Sequence, residues 1–394
     1  MLSSEKILKV KNFLYKLFDI AISDEISIIE EAEEKVLLPE EYLERFTLYA
    51  IQDKGFLKDR ENEFKSLELA YENWKIVNSP LLVVNNPGEG GTSLLHASTY
   101  IYPSAKILET DKSIDSYSKL IQLLTHFFKI EEKITTLNNL GKHIETFEES
   151  KVVILENIER LFIRKINGFN LLEDFLLFLH ATKDKIYWIV SINKYSFYYL
   201  NSVKYFSSHF PSIVHLNPIS NEMLKEEIIL RNRGYSMVFL KPLNLPKKIE
   251  KQFKKVTPSE RQTILESLFF KKLFDFSKGN MSKAILYARE SAFKVKEKTV
   301  YIKPFEEKEI EGLSLADLFI LEAIFQHRSL TIDELNIVLR NSSRQSRLTI
   351  EKLLEKNLIR PTKNSENKSD YRINLIYVDV LKQQLRERLN RNFR

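Results

Sequence analysis

Only nine of the 394 residues are glycine, and three of those nine are Gly88, Gly90 and Gly91. Globular chains average about 7% glycine, so this chain avoids the residue and yet concentrates it in one loop. Such a loop calls for positive φ angles or a close approach of the backbone to something else. Residues 80–84, PLLVV, precede it. A short, apolar, β-branched run of this kind suits a strand buried on both faces of a parallel sheet. After the loop, Thr92-Ser93-Leu94-Leu95-His96-Ala97 opens a helical pattern. Strand, glycine loop and helix in that order direct backbone N–H groups and a helix N-terminus at an anion.

Further buried-strand candidates lie at residues 105–108, 151–155 (KVVIL), 186–192 (IYWIVSI) and 213–216 (IVHL). Helical stretches alternate with them, notably 116–128 and 171–180. This alternation predicts an α/β domain with a parallel sheet over residues 56–218. Residues 1–55 read as a helical, acid-rich segment suited to packing or docking. Residues 219–297 carry helical periodicity and are assigned to a helical lid. Residues 298–312 read as a strand-like linker, and 313–394 as a last domain with a basic C-terminal helix.

Composition narrows the function classes. No apolar run approaches the roughly 20 residues that span a bilayer, so a cytoplasmic protein without a membrane partner is expected. The chain has no cysteine, which excludes disulfides and thiolate metal sites. Its seven histidines include no i,i+4 pair, which argues against a histidine-based metal site. From Asn341 onward 13 Lys or Arg stand against 6 Asp or Glu, enough to account for the whole net charge of +6. That surplus suits a polyanionic partner, and equally a solvated lysine-rich face.

The segments with chemical meaning come in a fixed order. Leu57-Lys58-Asp59-Arg60-Glu61 is followed by Asn85-Asn86-Pro87-Gly88-Glu89-Gly90-Gly91-Thr92-Ser93. Then come VVILEN at 152–157, IVSIN at 189–193, HFPSIVHL at 209–216 and GNMSKAI at 279–285. This ordered set resembles the AAA+ superfamily of P-loop NTPases, in the origin-recognition and STAND-like branch that ends in a winged helix. The resemblance covers residues 56–385 and implies a P-loop parallel sheet with a helical lid and a C-terminal winged-helix domain.

The resemblance also shows what is missing. The glycine loop is similar to a Walker A loop, G-x-x-x-x-G-K-T, with Asn85 in place of the first glycine and Gly91 where the lysine belongs. In the intact loop that lysine holds the β- and γ-phosphates. Glu156 and Asn157 occupy the Walker B positions; Glu156 still offers a carboxylate for magnesium, but Asn157 cannot accept a proton. Asn193 is similar to the sensor-1 residue. His209 stands where relatives often carry an arginine finger, and Ser282 stands at the sensor-2 arginine, with Lys283 beside it.

If nucleotide binds, the resemblance implies ATP or ADP with magnesium. The contacts would come from Arg60, Gly88, Glu89, Gly90, Gly91, Thr92, Ser93, Asn193 and Lys283, and the metal would sit on Thr92 and Glu156. No residue is left for a catalytic role, so impaired or absent hydrolysis is expected. A tight strand-to-helix turn in an unrelated α/β domain remains the plain alternative for the loop itself.

Residues 313–380 read as a winged helix-turn-helix. Leu318, Leu321 and Phe325 share one helix face, Thr331 and Glu334 form a capping box, and residues 358–360 and 371–374 fit a two-stranded wing around a tip at 362–370. Arg344, Gln345, Arg347 and Lys352 on the third helix suit phosphates and purine edges. Lys363, Lys368 and Arg372 fall on or near the wing. The same residues also fit a domain that packs on the core or binds protein. Three functions follow: a regulatory protein without hydrolysis that binds a protein partner, an active AAA+ ATPase or another copy of itself; a DNA-binding factor of origin-recognition type; or a working ATPase with rearranged residues.

Overall fold

The structure is a computed structural model, and it describes residues 38–48, 59–102, 104–110, 112–242, 245–304, 310–363 and 367–389. Most of the N-terminal segment read from the sequence lies outside these residues, as do Leu57 and Lys58 at the start of the α/β domain. Its described end carries α1 (Glu40–Glu44). The chain folds into two compact units. One comprises residues 1–48 and 219–307, the other residues 49–218 and 308–394.

The second unit opens with α2 (Glu61–Val77), whose Phe64, Leu67, Ala70 and Trp74 recur at helical spacing and are all buried. Then follow β1 (Leu81–Asn85), α3 (Gly91–Ala97), β2 (Lys106–Leu108), α4 (Tyr117–Phe128), α5 (Leu137–Glu145) and β3 (Lys151–Leu155). Next are α6 (Asn170–Ala181), β4 (Ile186–Asn193), α7 (Lys194–Lys204) and β5 (Ser212–His215). Polar residues start several of the helices: the side chains of Ser116, Thr136 and Asn193 accept free N–H groups in the first turns of α4, α5 and α7, as N-caps do.

The five strands form one sheet in the order β2-β3-β4-β1-β5, and every pairing is parallel. This is the P-loop NTPase α/β fold expected from the sequence. Alternate residues face opposite sides of the sheet, which is why the apolar runs are unbroken. Leu82, Val84, Val153, Leu155, Trp188 and Val190 enter one core with α4, α5 and α6. Leu81, Val83, Val152, Ile154, Tyr187 and Ile189 enter the other with α2 and α3. All eight residues of the central strand β4 are buried, and the Trp188 indole N–H still finds the Thr182 hydroxyl at 3.0 Å.

The other unit holds α8 (Asn221–Arg231), β6 (Ser236–Phe239), α9 (Lys247–Phe253), α10 (Pro258–Ser277), α11 (Met281–Ser291), β7 (Ala292–Lys296) and β8 (Thr299–Ile302). Helices dominate it, but β6, β8 and β7 form a small sheet in that order. The purely helical reading of 219–297 missed β6 and β7, whereas β8 falls in the segment read as a strand-like linker. The signal is weak because each strand has only four or five residues. The β7–β8 turn, Glu297 and Lys298 with φ of 48° and 64°, has the left-handed geometry usually marked by Asn-Gly or Asp-Gly, without those residues. α1 belongs to this unit: its Tyr42 hydroxyl donates to Asn232 Oδ1 at 2.9 Å.

The chain returns to the sheet unit with α12 (Leu315–His327), α13 (Ile332–Leu339), α14 (Ser343–Glu355), the antiparallel hairpin β9 (Ile359–Lys363) and β10 (Ser369–Ile373), and α15 (Val378–Leu389). Three helices and a hairpin are the element order of a winged helix, and the Thr331–Glu334 capping box is present. The hairpin is longer than expected and its tip shorter, since Lys363 pairs with Ser369. α12 is buried almost all round, the pattern of a helix between two layers. One side packs in the winged-helix core. The other meets α7, where Phe325 and Tyr195 lie edge to face at 4.9 Å.

Candidate functional site

In a parallel sheet all strands end on the same edge, so the turns after β1, β3 and β4 converge. Asn85 and Asn193 are register partners at that edge, and Glu156 and Asn157 follow β3 directly. The loop between β1 and α3 turns on Gly88 and Gly90, with φ of 87° and 89°. Gly90 is the N-cap of α3, and no side chain caps that helix. The glycine cluster therefore marks left-handed backbone, for which L side chains pay a steric cost.

Thr92 and Glu156 are brought together: the Thr92 hydroxyl donates to Glu156 Oε2 at 3.4 Å. His96, one turn along α3, joins them with Nε2 at 3.5 Å from Glu156 and 3.4 Å from Glu109. Glu156 is 4% exposed. Burial pushes its pKa up, and the repulsion of Glu109 adds to this, while His96, Arg328 and the Thr92 hydroxyl act the other way. Asn157 adopts φ of 62°. Its backbone N–H donates to Ser191 Oγ at 3.0 Å and its side-chain amide to the Thr110 carbonyl at 3.4 Å.

Arg60 lies beside the loop but is fully engaged by protein. Its guanidinium pairs with Glu63 at 3.0 Å and donates to the carbonyls of Asn217 at 2.6 Å and Glu89 at 2.8 Å. Asn193 donates to Glu159 at 3.1 Å and to Ser196 Oγ at 2.6 Å. Ser93 is buried in the first turn of α3. His209 ends a short 3-10 turn just before β5, which puts it at the opposite edge of the sheet from the glycine loop. It lies against His180, ring centroids 5.7 Å apart. Ser282 and Lys283 sit in the first turn of α11 in the other compact unit, where Lys283 is buried and its N–H is capped by Asn280.

Several residues at this edge carried no sequence signal. Ser196 Oγ donates to the Gln326 carbonyl at 2.6 Å, Arg164 N–H to His327 Nε2 at 3.0 Å, and Arg164 Nη1 to Gln326 Oε1 at 2.7 Å. Arg328, at the end of α12, reaches Glu159 at 3.7 Å. Arg160 is buried against Ser329 and Asp370. The strand ends that carry Glu156 and Asn193 are thus tied to α12 and, through Asp370, to β10 of the hairpin. These partners are 130 or more residues apart in the chain, a distance over which local periodicity says nothing.

On the winged helix, Arg344, Gln345 and Arg347 are exposed along α14, and Lys363 and Lys368 along the hairpin. Arg372 is half-buried. Lys352 points elsewhere: its ammonium binds Asp317 at 2.5 Å, inside the domain.

No family model matches the chain, and no curated protein matches it in sequence. Among solved structures it is similar to the Aeropyrum pernix ORC2 protein in its ADPNP–ADP complexes, at 12% identity and a TM-score of 0.39, covering 88% of this chain and 98% of that one. It is similar to Cdc6p from Pyrobaculum aerophilum at 15% identity and a TM-score of 0.37, covering 88% and 98%. It is also similar to the Walker-type ATPase of Pyrococcus abyssi at 16% identity and a TM-score of 0.35, covering 86% and 99%. The fold assignment rests on the chain's own sheet order and loop. Among the described residues no helix is long and apolar enough to cross a membrane, and no cluster of three or more His, Asp or Glu is arranged to hold a metal ion.

Proposed function

We propose that this chain is an AAA+-type regulatory protein that does not turn over ATP and acts by binding a protein partner. What supports this reading is Asn157. It occupies the position from which a carboxylate would accept a proton from attacking water, and a carboxamide has no basicity to offer there. Its amide nitrogen is already donating to the Thr110 carbonyl. General-base catalysis contributes about 10²–10⁴ in rate, and an arginine finger about 10³–10⁵. A chain with Asn157 and His209 at those two positions is left at background hydrolysis. The partner is an active AAA+ ATPase or a second copy of this chain.

Steady-state phosphate release tests the reading. The wild-type chain is expected to release phosphate no faster than a Thr92→Ala variant, which lacks the hydroxyl beside Glu156. Release that exceeds background and is removed by Thr92→Ala would restore a working ATPase with rearranged residues.

A second reading, DNA binding through the winged helix, is favoured by the open row of Arg344, Gln345 and Arg347 on α14. If it holds, duplex affinity at low salt drops on Arg344→Ala and on Arg347→Ala, and each substitution lowers the salt slope by about 1. Lys352→Ala should act mainly on stability, since that ammonium is taken up by Asp317. Fluorescence anisotropy with a labelled duplex across a salt series checks all three. A slope unchanged by both arginine substitutions would remove α14 from the interface.

A further inference from the structure

Two side chains of the loop after β1, Asn85 and Glu89, fold back onto the loop itself. A Cβ placed on Gly91 would lie 2.4 Å from Asn85 Cγ and 2.6 Å from both Asn85 Nδ2 and Oδ1. The Asn85 carboxamide therefore rests directly on the Gly91 Cα, in the space from which a lysine side chain would leave the backbone. It is held there, with Nδ2 donating to the Asn86 carbonyl at 3.2 Å and its backbone at the end of β1 beside Asn193.

Glu89 supplies the second element. Its carboxylate turns back into the loop and accepts from the Asn86 N–H at 2.7 Å and from Asn86 Nδ2 at 2.5 Å. The residue is only 7% exposed. Its carbonyl is held at 2.8 Å by Arg60, which is itself locked by Glu63 and the Asn217 carbonyl. A phosphate entering this loop would meet a fixed negative charge and no lysine, and at least one loop N–H already has an anionic acceptor.

We propose that Asn85 and Glu89 close the loop to phosphate from within, and that Gly91 is the steric counterpart of Asn85 rather than a separate loss. This rests on the reading of the chain as a P-loop protein without turnover, and it names the side chains that keep nucleotide out. A lysine at position 91 would have to displace the Asn85 carboxamide. Asparagine at position 85 likewise favours glycine at 91, because any L side chain there must displace the carboxamide.

Two measurements test it. The first needs no ligand: Gly91→Ala should lower the melting temperature, and the same substitution in an Asn85→Gly background should not. Equal effects in both backgrounds would overturn the steric coupling. The second is a titration of a fluorescent ATP analogue with Mg²⁺ into wild type, Gly91→Lys, Asn85→Gly/Gly91→Lys and Asn85→Gly/Glu89→Gln/Gly91→Lys, each checked for folding by circular dichroism. Wild type and Gly91→Lys should show no saturable binding at millimolar analogue. The double variant should bind, and Glu89→Gln should tighten it further by roughly 10- to 100-fold, the effect of one hydrogen bond to a charged group. Micromolar binding by wild type, binding by Gly91→Lys alone as tight as by the double variant, or no binding by the folded triple variant would each overturn the proposal. Failure of the no-turnover reading would show up elsewhere, as phosphate release sensitive to Thr92→Ala.

Discussion

Asp370→Ala should destabilise the sheet and winged-helix unit by about 3–5 kcal/mol, the cost of leaving a buried charge without its partner. Asp370 lies in β10 opposite Thr362, one pair from the tip end of the hairpin, and its Oδ2 is 3.3 Å from Arg160 Nη2. Ser329 completes the group: its hydroxyl accepts from Arg160 at 2.6 Å and donates to Asp370 at 2.8 Å, while its carbonyl accepts from Arg160 Nη1 at 3.2 Å. The two charged side chains are 2% and 3% exposed. Burial presses the Arg160 pKa down, and the Asp370 charge is the largest influence opposing it, so removing the carboxylate leaves a buried guanidinium with only the weaker pull of Glu159 and Glu334. Chemical denaturation followed by tryptophan fluorescence reads this directly, since Trp74 and Trp188 both lie in the same compact unit. The paired replacement Arg160→Met/Asp370→Leu should recover most of the loss, because well-packed apolar groups often match a buried ion pair. A loss below about 1 kcal/mol for Asp370→Ala would place this pair among exposed bridges and remove the ionic link between wing and core.

Acid should weaken the same unit through His327. This imidazole is wholly enclosed at the end of α12, with Nδ1 2.8 Å from the Ala323 carbonyl and Nε2 accepting from the Arg164 N–H at 3.0 Å. It is therefore neutral, with its proton on Nδ1. Burial holds its pKa down at about 4, against 6.5 for a free histidine; the Ala323 carbonyl opposes the shift, and Arg164 and Arg160 add to it. Above pH 6.5 folded and unfolded chains are both neutral at this site, and it gives no pH dependence. Between 6.5 and about 4 the unfolded chain takes up a proton that the folded chain refuses, so stability falls as pH falls and levels off below. At about 1.4 kcal/mol per pH unit the loss totals roughly 3 kcal/mol. His327→Gln cannot titrate, so the stability gap between wild type and variant should shrink by that amount from neutral pH to pH about 4. Parallel stability curves would show that the site does not titrate on unfolding.

Much of the sheet unit was legible in the amino-acid order. PLLVV, KVVIL and IYWIVSI are unbroken apolar runs because both faces of their strands are buried, and these three became β1, β3 and β4. The alternation of these runs with amphipathic helices implied a parallel sheet, since parallel neighbours need a crossover. Gly88 and Gly90 announced a left-handed loop in a chain otherwise poor in glycine. The capping box at Thr331 is equally local, formed with Glu334 three residues away.

Pairings between distant residues were decided only by the fold. Nothing near Arg160 in LENIER indicates an aspartate 210 positions later, and His327 carries no mark of being buried. β6 and β7 escaped notice because they are too short to show a period, and only the fold pairs them with the strand-like stretch that became β8. Asn85 and Gly91 are the clearest case. Read along the chain they are two unrelated departures from a phosphate loop. In space the loop folds back so that one side chain fills the room the other lacks, and steric exclusion acts between atoms that meet, whatever their separation in sequence.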